Sequence, residues 1–355
     1  MKVVTVDKKD YRLPGNLSSF QLKMYIHLVN WKWQHITKEP GYYEHKGCSI
    51  PYDAILPSAM IDDFRVIYPP VVQELRRHRR KNPFRIHTHF NHMASSQAAN
   101  VNLFIPILQH PFAGAILRSI KDDFSSLATD MLDDGYCLEF WGGNFGHDKS
   151  DKGLLGDKSA FAGTDSDIAI AYRNHQGELC LWLIEHKLTE KEFTPCGGFK
   201  SKDREERHDC TRTFTEILQN KHICFHHDIR KRNYWKITEI NRGFFVNQGK
   251  HAQCPFQSGM NQLWRNQLLA LAVEQDERQP YVHACFSVVK HPANTHLDES
   301  LGSYKELIAD NSKFSVFTSD DVLRAAEAIN DDTLNKWTRW YRDLYRLRRS
   351  AIPWA

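Results

Sequence analysis

Apolar positions recur along the chain in two rhythms. Between residues 166 and 188 they form two nearly continuous runs, Ile168-Ala169-Ile170-Ala171-Tyr172 and Leu179-Cys180-Leu181-Trp182-Leu183-Ile184, linked by Asn174-His175-Gln176-Gly177. Short apolar runs bounded by turn residues predict buried strands, and the polar link predicts a hairpin. Cys137 to Trp141 predicts a strand before the hairpin, and Val282 to Val289 one after it. Elsewhere the spacing is helical. Ser95-Ser96 can cap a helix running to Leu108, and a second is expected from Gly114 to Leu132. Met260 to Glu274 carries Leu263, Leu268 and Leu271 at helical intervals. Asp320 to Arg349 carries Trp337, Trp340, Tyr341, Leu344 and Tyr345 on one side of an expected last helix.

Helices, then three strands, then helix, strand and helix predict an α/β fold with one central mixed sheet. Residues 1–90, with Trp31-Lys32-Trp33, Tyr42-Tyr43 and scattered prolines, read as an irregular region of short strands and turns packed on a core over 91–355. The Gly-, Lys- and Asp-rich stretch from Gly142 to Gly163 reads as a mobile loop. Residues 190–258 form a polar, cysteine-containing insertion, and 320–349 a basic C-terminal helix.

Composition narrows the classes. At 355 residues the chain buries a sizeable core without disulfides or metal, and 41% hydrophobic with 25% charged residues is an ordinary globular balance. Forty-seven Lys+Arg against 43 Asp+Glu give +4, which excludes a strongly basic packaging protein but leaves room for local basic patches. No apolar run is long enough to span a membrane, and Met1 to Asp10 does not read as a signal peptide. The expected compartment is therefore the cytoplasm, where eight cysteines point to core residues and metal ligands rather than disulfides.

The hairpin carries the chemistry. Asp167 stands at the mouth of the first strand, and the second runs into Glu185-His186-Lys187. Period-two alternation puts Glu185 and Lys187 on one face and His186 on the other. Two carboxylates and an ammonium at one end of adjacent strands suit Mg²⁺ (or Mn²⁺) bound by hard oxygens, with the lysine orienting a nucleophile or screening charge. Asp165, two positions earlier, faces the same way, so either aspartate can serve.

This spacing resembles the PD-(D/E)xK nuclease superfamily of restriction-endonuclease-like fold, and flanking features resemble an uncharacterised bacterial group within it. No proline precedes Asp167, unlike the name-giving form. The resemblance covers about residues 85 to 290 and implies an αβββαβ core. It implies Asp167 and Glu185 as metal ligands, the main-chain carbonyl of His186 completing the site, and Lys187 as the catalytic lysine. It further implies that Gln262, on the helix after the insertion as in RecB-like members, reaches the metal site, with Arg265 one turn on meeting a phosphate. Gln97, Asn102 and Glu139 resemble features of the bacterial group, with Glu139 as a third acidic group. Packing and helix capping account equally well for Gln97 and Asn102.

Cys196, Cys210, Cys224 and Cys254 all fall in the insertion, whereas Cys48, Cys137, Cys180 and Cys285 sit in apolar stretches. The first four could hold Zn²⁺ or an iron–sulfur cluster, with His208, His222, His226 or His227 as substitutes; no closely spaced cysteine pair decides between them. Three basic groups are candidates for DNA: Arg76, Arg77, Arg79, Arg80, Lys81 and Arg85; Arg230, Arg232 and their neighbours; and Lys336, Arg339, Arg342, Arg346, Arg348 and Arg349. His87-Thr88-His89 with His92 is set aside as a metal site because no acid lies nearby in sequence. Asp148-Lys149-Ser150 and Asp157-Lys158-Ser159 carry Asp where a phosphate-binding loop needs Gly. The expectation is a Mg²⁺-dependent DNA nuclease in restriction, defence or DNA processing, dimeric if it cuts both strands. The alternatives are a non-catalytic nucleic-acid-binding protein with a cysteine-bound metal, and a histidine-based metal hydrolase.

Overall fold

The computed structural model describes residues 2–45, 47–143, 151–159, 163–308 and 311–347. The elements in chain order begin with β1 (Lys2–Val6), β2 (Lys9–Leu13), α1 (Ser19–His35), β3 (Gly41–His45) and β4 (Cys48–Tyr52). Then come α2 (Val72–Lys81), α3 (Ser96–Leu108), α4 (Ala113–Arg118), β5 (Phe124–Leu127), β6 (Tyr136–Phe140), β7 (Ser166–Asn174) and β8 (Leu179–Lys187). The insertion carries α5 (Phe214–Gln219), α6 (Phe225–Asp228) and α7 (Tyr234–Ile240). The chain continues with α8 (Met260–Gln275), β9 (His283–Lys290), α9 (Asp298–Leu307), β10 (Phe314–Thr318), α10 (Ser319–Glu327) and α11 (Asp332–Leu344).

The expected hairpin is the middle of a mixed sheet ordered β10-β9-β8-β7-β5, with β6 on the same edge of β7 as β5. β5, β6, β7 and β8 pair antiparallel, whereas β8, β9 and β10 pair parallel. Alternation sorts the hairpin into two cores. Ile168, Ile170, Trp182 and Ile184 join one, with α3, α4, α10 and α11. Ala169, Ala171, Leu181 and Leu183 join the other, under α8 and the insertion. Burial on both faces explains why the middle of each strand is apolar, since each large apolar side chain taken from water contributes about 1.5–3 kcal/mol.

Three expectations fail. Residues 1–90 hold a 17-residue helix, α1, opened by a capping box in which Ser18 and Gln21 satisfy each other's backbone N–H groups. Its Met24, Leu28 and Trp31 are buried on one face. The helix expected from Gly114 to Leu132 stops at Arg118, because Phe124–Leu127 pairs with β7 instead; sheet pairing overrides local helix preference. The last helix is two, broken at Asn330 with φ +57° and restarted by Asp331, whose side chain accepts from Thr333 and Leu334 N–H. α9 and β10 were not anticipated. Among the described residues no helix is long and apolar enough to cross a membrane. Arg348, Arg349 and Asp148 to Ser150, like much of the loop after Gly142, lie outside the described residues.

Candidate active site

β7 and β8 deliver the acid pair. Ile168 opposes Ile184, so the next positions outward are Asp167 and Glu185, on the face covered by α8. Asp167 Oδ2 accepts the His186 N–H at 2.6 Å. In a strand a residue's N–H and C=O point the same way, so the His186 carbonyl faces the same edge. Glu185 is 4% exposed and fully engaged: Lys187 Nζ lies 2.9 Å and Gln262 Nε2 2.7 Å from Oε1, while Asn266 Nδ2 donates to Oε2 at 2.9 Å. Gln262 in turn accepts the Thr194 N–H at 3.0 Å.

Glu139 closes the cluster from β6. Its backbone is left-handed, φ +53°, between Leu138 and Phe140, which pair with Ile168 and Ser166. The strained residue breaks the alternation, so Cys137 and Phe140 fall into the same core. Its carboxylate accepts from Gln97 Nε2 at 2.9 Å. Gln97 also donates to the Arg85 carbonyl and accepts the His87 N–H. α3 adds Asn100, whose amide donates to the Asp167 carbonyl at 3.1 Å.

The electrostatics fit a cation. Burial first, then Asp165 and Glu185, push the Glu139 carboxyl up to about 8. Burial, Glu185 and Glu139 push Asp167 well above the carboxylate range. Burial opposes the Lys187 ammonium, but Glu185, Glu190 and Asp167 outweigh it and raise its pKa. A donor set of hard, mutually repelling oxygens suits Mg²⁺ or Mn²⁺. Asp165, by contrast, is paired with Lys158 at 2.5 Å, which leaves Asp167 as the aspartate beside Glu185. Among the described residues no group of three or more His, Cys, Asp or Glu side chains stands arranged to hold a metal ion; two carboxylates and a carbonyl need no such group.

The other predicted residues divide. The cysteine loops are tied together: Cys254 N–H bonds the Cys210 carbonyl at 3.2 Å, Cys196 N–H the Gln257 carbonyl at 3.3 Å, and Gly198 N–H the His226 Nε2 at 3.0 Å. A Cβ on Gly198 would meet that imidazole at 2.9 Å, so only glycine fits. Burial raises all four thiols, and neighbouring cysteines add to it at Cys210, Cys224 and Cys254. Among the candidate DNA contacts, Arg77 is consumed by Glu74, Asp133 and Asp134, and Arg76 lies over Phe64 and bonds the Asp62 carbonyl. Arg79 and Arg80 are exposed. Arg342 is no surface cation: its side chain is 8% exposed and pairs with Asp320 and Glu327. Arg265 donates to Thr164 Oγ1 at 3.2 Å; Arg232 touches the His226 ring, and Arg230 pairs with Asp203.

Sequence reasoning missed Asn266, although it stands one helical turn after Gln262 and shares its face. The histidines, set aside for want of an acid nearby in sequence and kept only in the alternative of a histidine-based hydrolase, stand beside acids in space. His87, His89 and His92 line a cleft of about 430 Å³ together with Glu139 and Asp167, acids distant in sequence.

A buried acid pair, a lysine on the same strand and a third acid converge at one end of a mixed α/β sheet. Residues 34–346 match the family described as restriction endonuclease associating with ARP, and the chain belongs to that family. No curated protein and no solved structure matches it.

Proposed function

We propose that the protein is a divalent-metal-dependent DNA nuclease of PD-(D/E)xK type. The observation that carries this is the convergence of Asp167, Glu185 and Lys187 at one end of β7 and β8, with Gln262 on Glu185. Membership of a restriction-endonuclease family supports it, as does a mixed sheet in which the β6-β7-β8 antiparallel run is joined through α8 to the parallel β9, with α4 and β5 standing between α3 and β6. Asp167, Glu185 and the His186 carbonyl would hold Mg²⁺ or Mn²⁺, with Glu139 beside them. Such an ion supplies Lewis-acid polarisation of the phosphate and a more acidic water. Lys187, held by Glu185, keeps its proton and orients it toward the attacking water and the phosphate oxygens. Gln262 and Asn266 fix Glu185 so that its carboxylate does not rotate. The family description names ARP as an associate, and we take such a partner to apply here.

The test is cleavage of plasmid and linear DNA with Mg²⁺ or Mn²⁺ by wild type, Lys187→Ala and Glu185→Ala. Cutting by the wild type, lost in both folded variants, supports the reading; DNA binding without cutting under either metal overturns it. A separate proposal is that Cys196, Cys210, Cys224 and Cys254 close around Zn²⁺ or an iron–sulfur cluster. Metal analysis of purified protein with neither zinc nor iron would overturn it.

A further inference from the structure

Two cavities flank the carboxylates, and their linings differ in charge. One, of about 660 Å³, is lined by Lys152, Lys158, Arg230, Arg232 and Arg265 with one acid, Asp157. It adjoins the site through Thr194, which bonds Gln262, and through Lys158, which pairs with Asp165. The other is the cleft of about 430 Å³ that opens on Glu139 and Asp167. No lysine or arginine lines it among the described residues. Its walls are rings: Tyr43 lies 5.9 Å from His89 between centroids, and His89 lies 5.2 Å from His87. Tyr43 is 41% exposed, and His87 and His89 are also exposed, so their faces are accessible.

The His87 and His92 imidazoles are neutral donors, burial holding both below the ordinary histidine range. His87 Nδ1 accepts the His89 N–H at 3.2 Å, and His92 Nδ1 accepts the Ala94 N–H at 2.9 Å, so each ring carries its proton on Nε2. Glu190 adds an acceptor in the lining; its Oε2 takes the Leu188 and Thr189 N–H groups. Beyond the metal that Asp167 would hold, a phosphate in this cleft would meet Glu139 and Glu190 with no lysine or arginine in the lining. A flat, uncharged ring with hydrogen-bonding edges would meet stacking faces, N–H donors and a carboxylate.

We infer that this cleft receives the base of one unpaired nucleotide, while the flanking phosphates lie along the cationic cavity and cross the carboxylates between. The inference rests on the nuclease reading and adds its substrate class: DNA with a base that is single-stranded or turned out of the duplex. A base inside a duplex presents no free face, so it must leave the stack to reach Tyr43 and His89. Stacking on such rings is worth about tenfold in affinity per base.

The experiment compares a fully paired duplex with the same duplex carrying one unpaired adenine. Binding is measured with Ca²⁺ and cutting with Mg²⁺, for wild type, Tyr43→Ala and His89→Ala. Both substitutions are at exposed positions outside the carboxylate site, and matched melting temperatures establish that the variants fold. The expected result is about tenfold tighter binding of the unpaired-adenine duplex by wild type, cutting beside that base, and loss of the preference in both variants. Equal binding of the two duplexes, or a preference that survives both substitutions, overturns the inference. If wild type cuts neither duplex, the nuclease reading falls, and the Ca²⁺ binding comparison still decides the base site.

Discussion

The cleft beside Glu139 and the cavity beside Arg265 are neighbours built from different parts of the chain. The first is walled by β3, β4 and the loop carrying His87 and His89, the second by the loop around Lys158, the insertion and α8. One presents rings and neutral N–H groups, the other five cations. Between them stand carboxylates that repel one another. Charge is thus graded across the site, from a cationic cavity through the carboxylates to an aromatic cleft whose charged lining is acidic. A polyanion with flat bases can satisfy all three zones at once, each by a different interaction.

Substitutions can break that grading zone by zone. The largest effect belongs to the middle: Asp167→Asn should lower the cleavage rate by about a thousandfold while DNA binding persists, because it weakens the hold on the metal that would polarise the phosphate. Unchanged single-turnover cleavage would exclude Asp167 from the site. Next, Arg342→Ala separates a basic residue with a structural job from one with a DNA job. It leaves Glu327 without its partner and Asp320 with Arg324 alone, and should cost about 3 kcal/mol in denaturant unfolding, with DNA affinity of the folded fraction unchanged. Arg265→Ala should weaken binding about tenfold and reduce the slope of log affinity against log salt by about one, as loss of one phosphate contact does. A slope identical to wild type would take Arg265 out of the cationic zone.

The smallest effect is the most diagnostic of the carboxylates. Burial and the neighbouring carboxylates push the Glu139 carboxyl up to about 8 in the folded protein, far above its ordinary value. Between the two the folded state holds the extra proton, so without metal this residue's contribution to stability falls as pH rises toward about 8. The difference in melting temperature between wild type and Glu139→Gln, in EDTA, should therefore move against wild type from pH 5 to pH 8. Mg²⁺ or Mn²⁺ should restore wild type most at the alkaline end, where the carboxylates are ionised. A difference flat with pH would show that Glu139 is not buried among like charges.

Much of the site was legible because it lies on a hairpin. Asp167, Glu185 and Lys187 are placed by two-residue alternation and one tight turn, both local properties. Gln262 needed a helix returning over the sheet, and the helix was legible although its contact with Glu185 was not. Glu139 depended on a left-handed residue inside a strand, which no periodicity reports. The histidines were set aside because no acid stands near them in sequence; in space Glu139 and Asp167 do. α1 was legible in principle, since Ser18 and Gln21 have the capping-box spacing and Met24, Leu28 and Trp31 follow at helical intervals. Aromatic and proline content drew attention away from it. The basic run on α2 misled in the opposite direction: Arg77 and Lys81 face Asp133, an acid 52 or more residues away that is buried under them.

By itself the sequence determined the strands β6 to β9, the face on which the acids and lysine stand and the helix that carries Gln262, because alternation and helical spacing are short-range steric facts. Only the tertiary structure decided which charges are free, which acids share the site and which walls enclose it. Those depend on contacts between residues far apart in the chain, where burial and opposite charge, not spacing, select the partner.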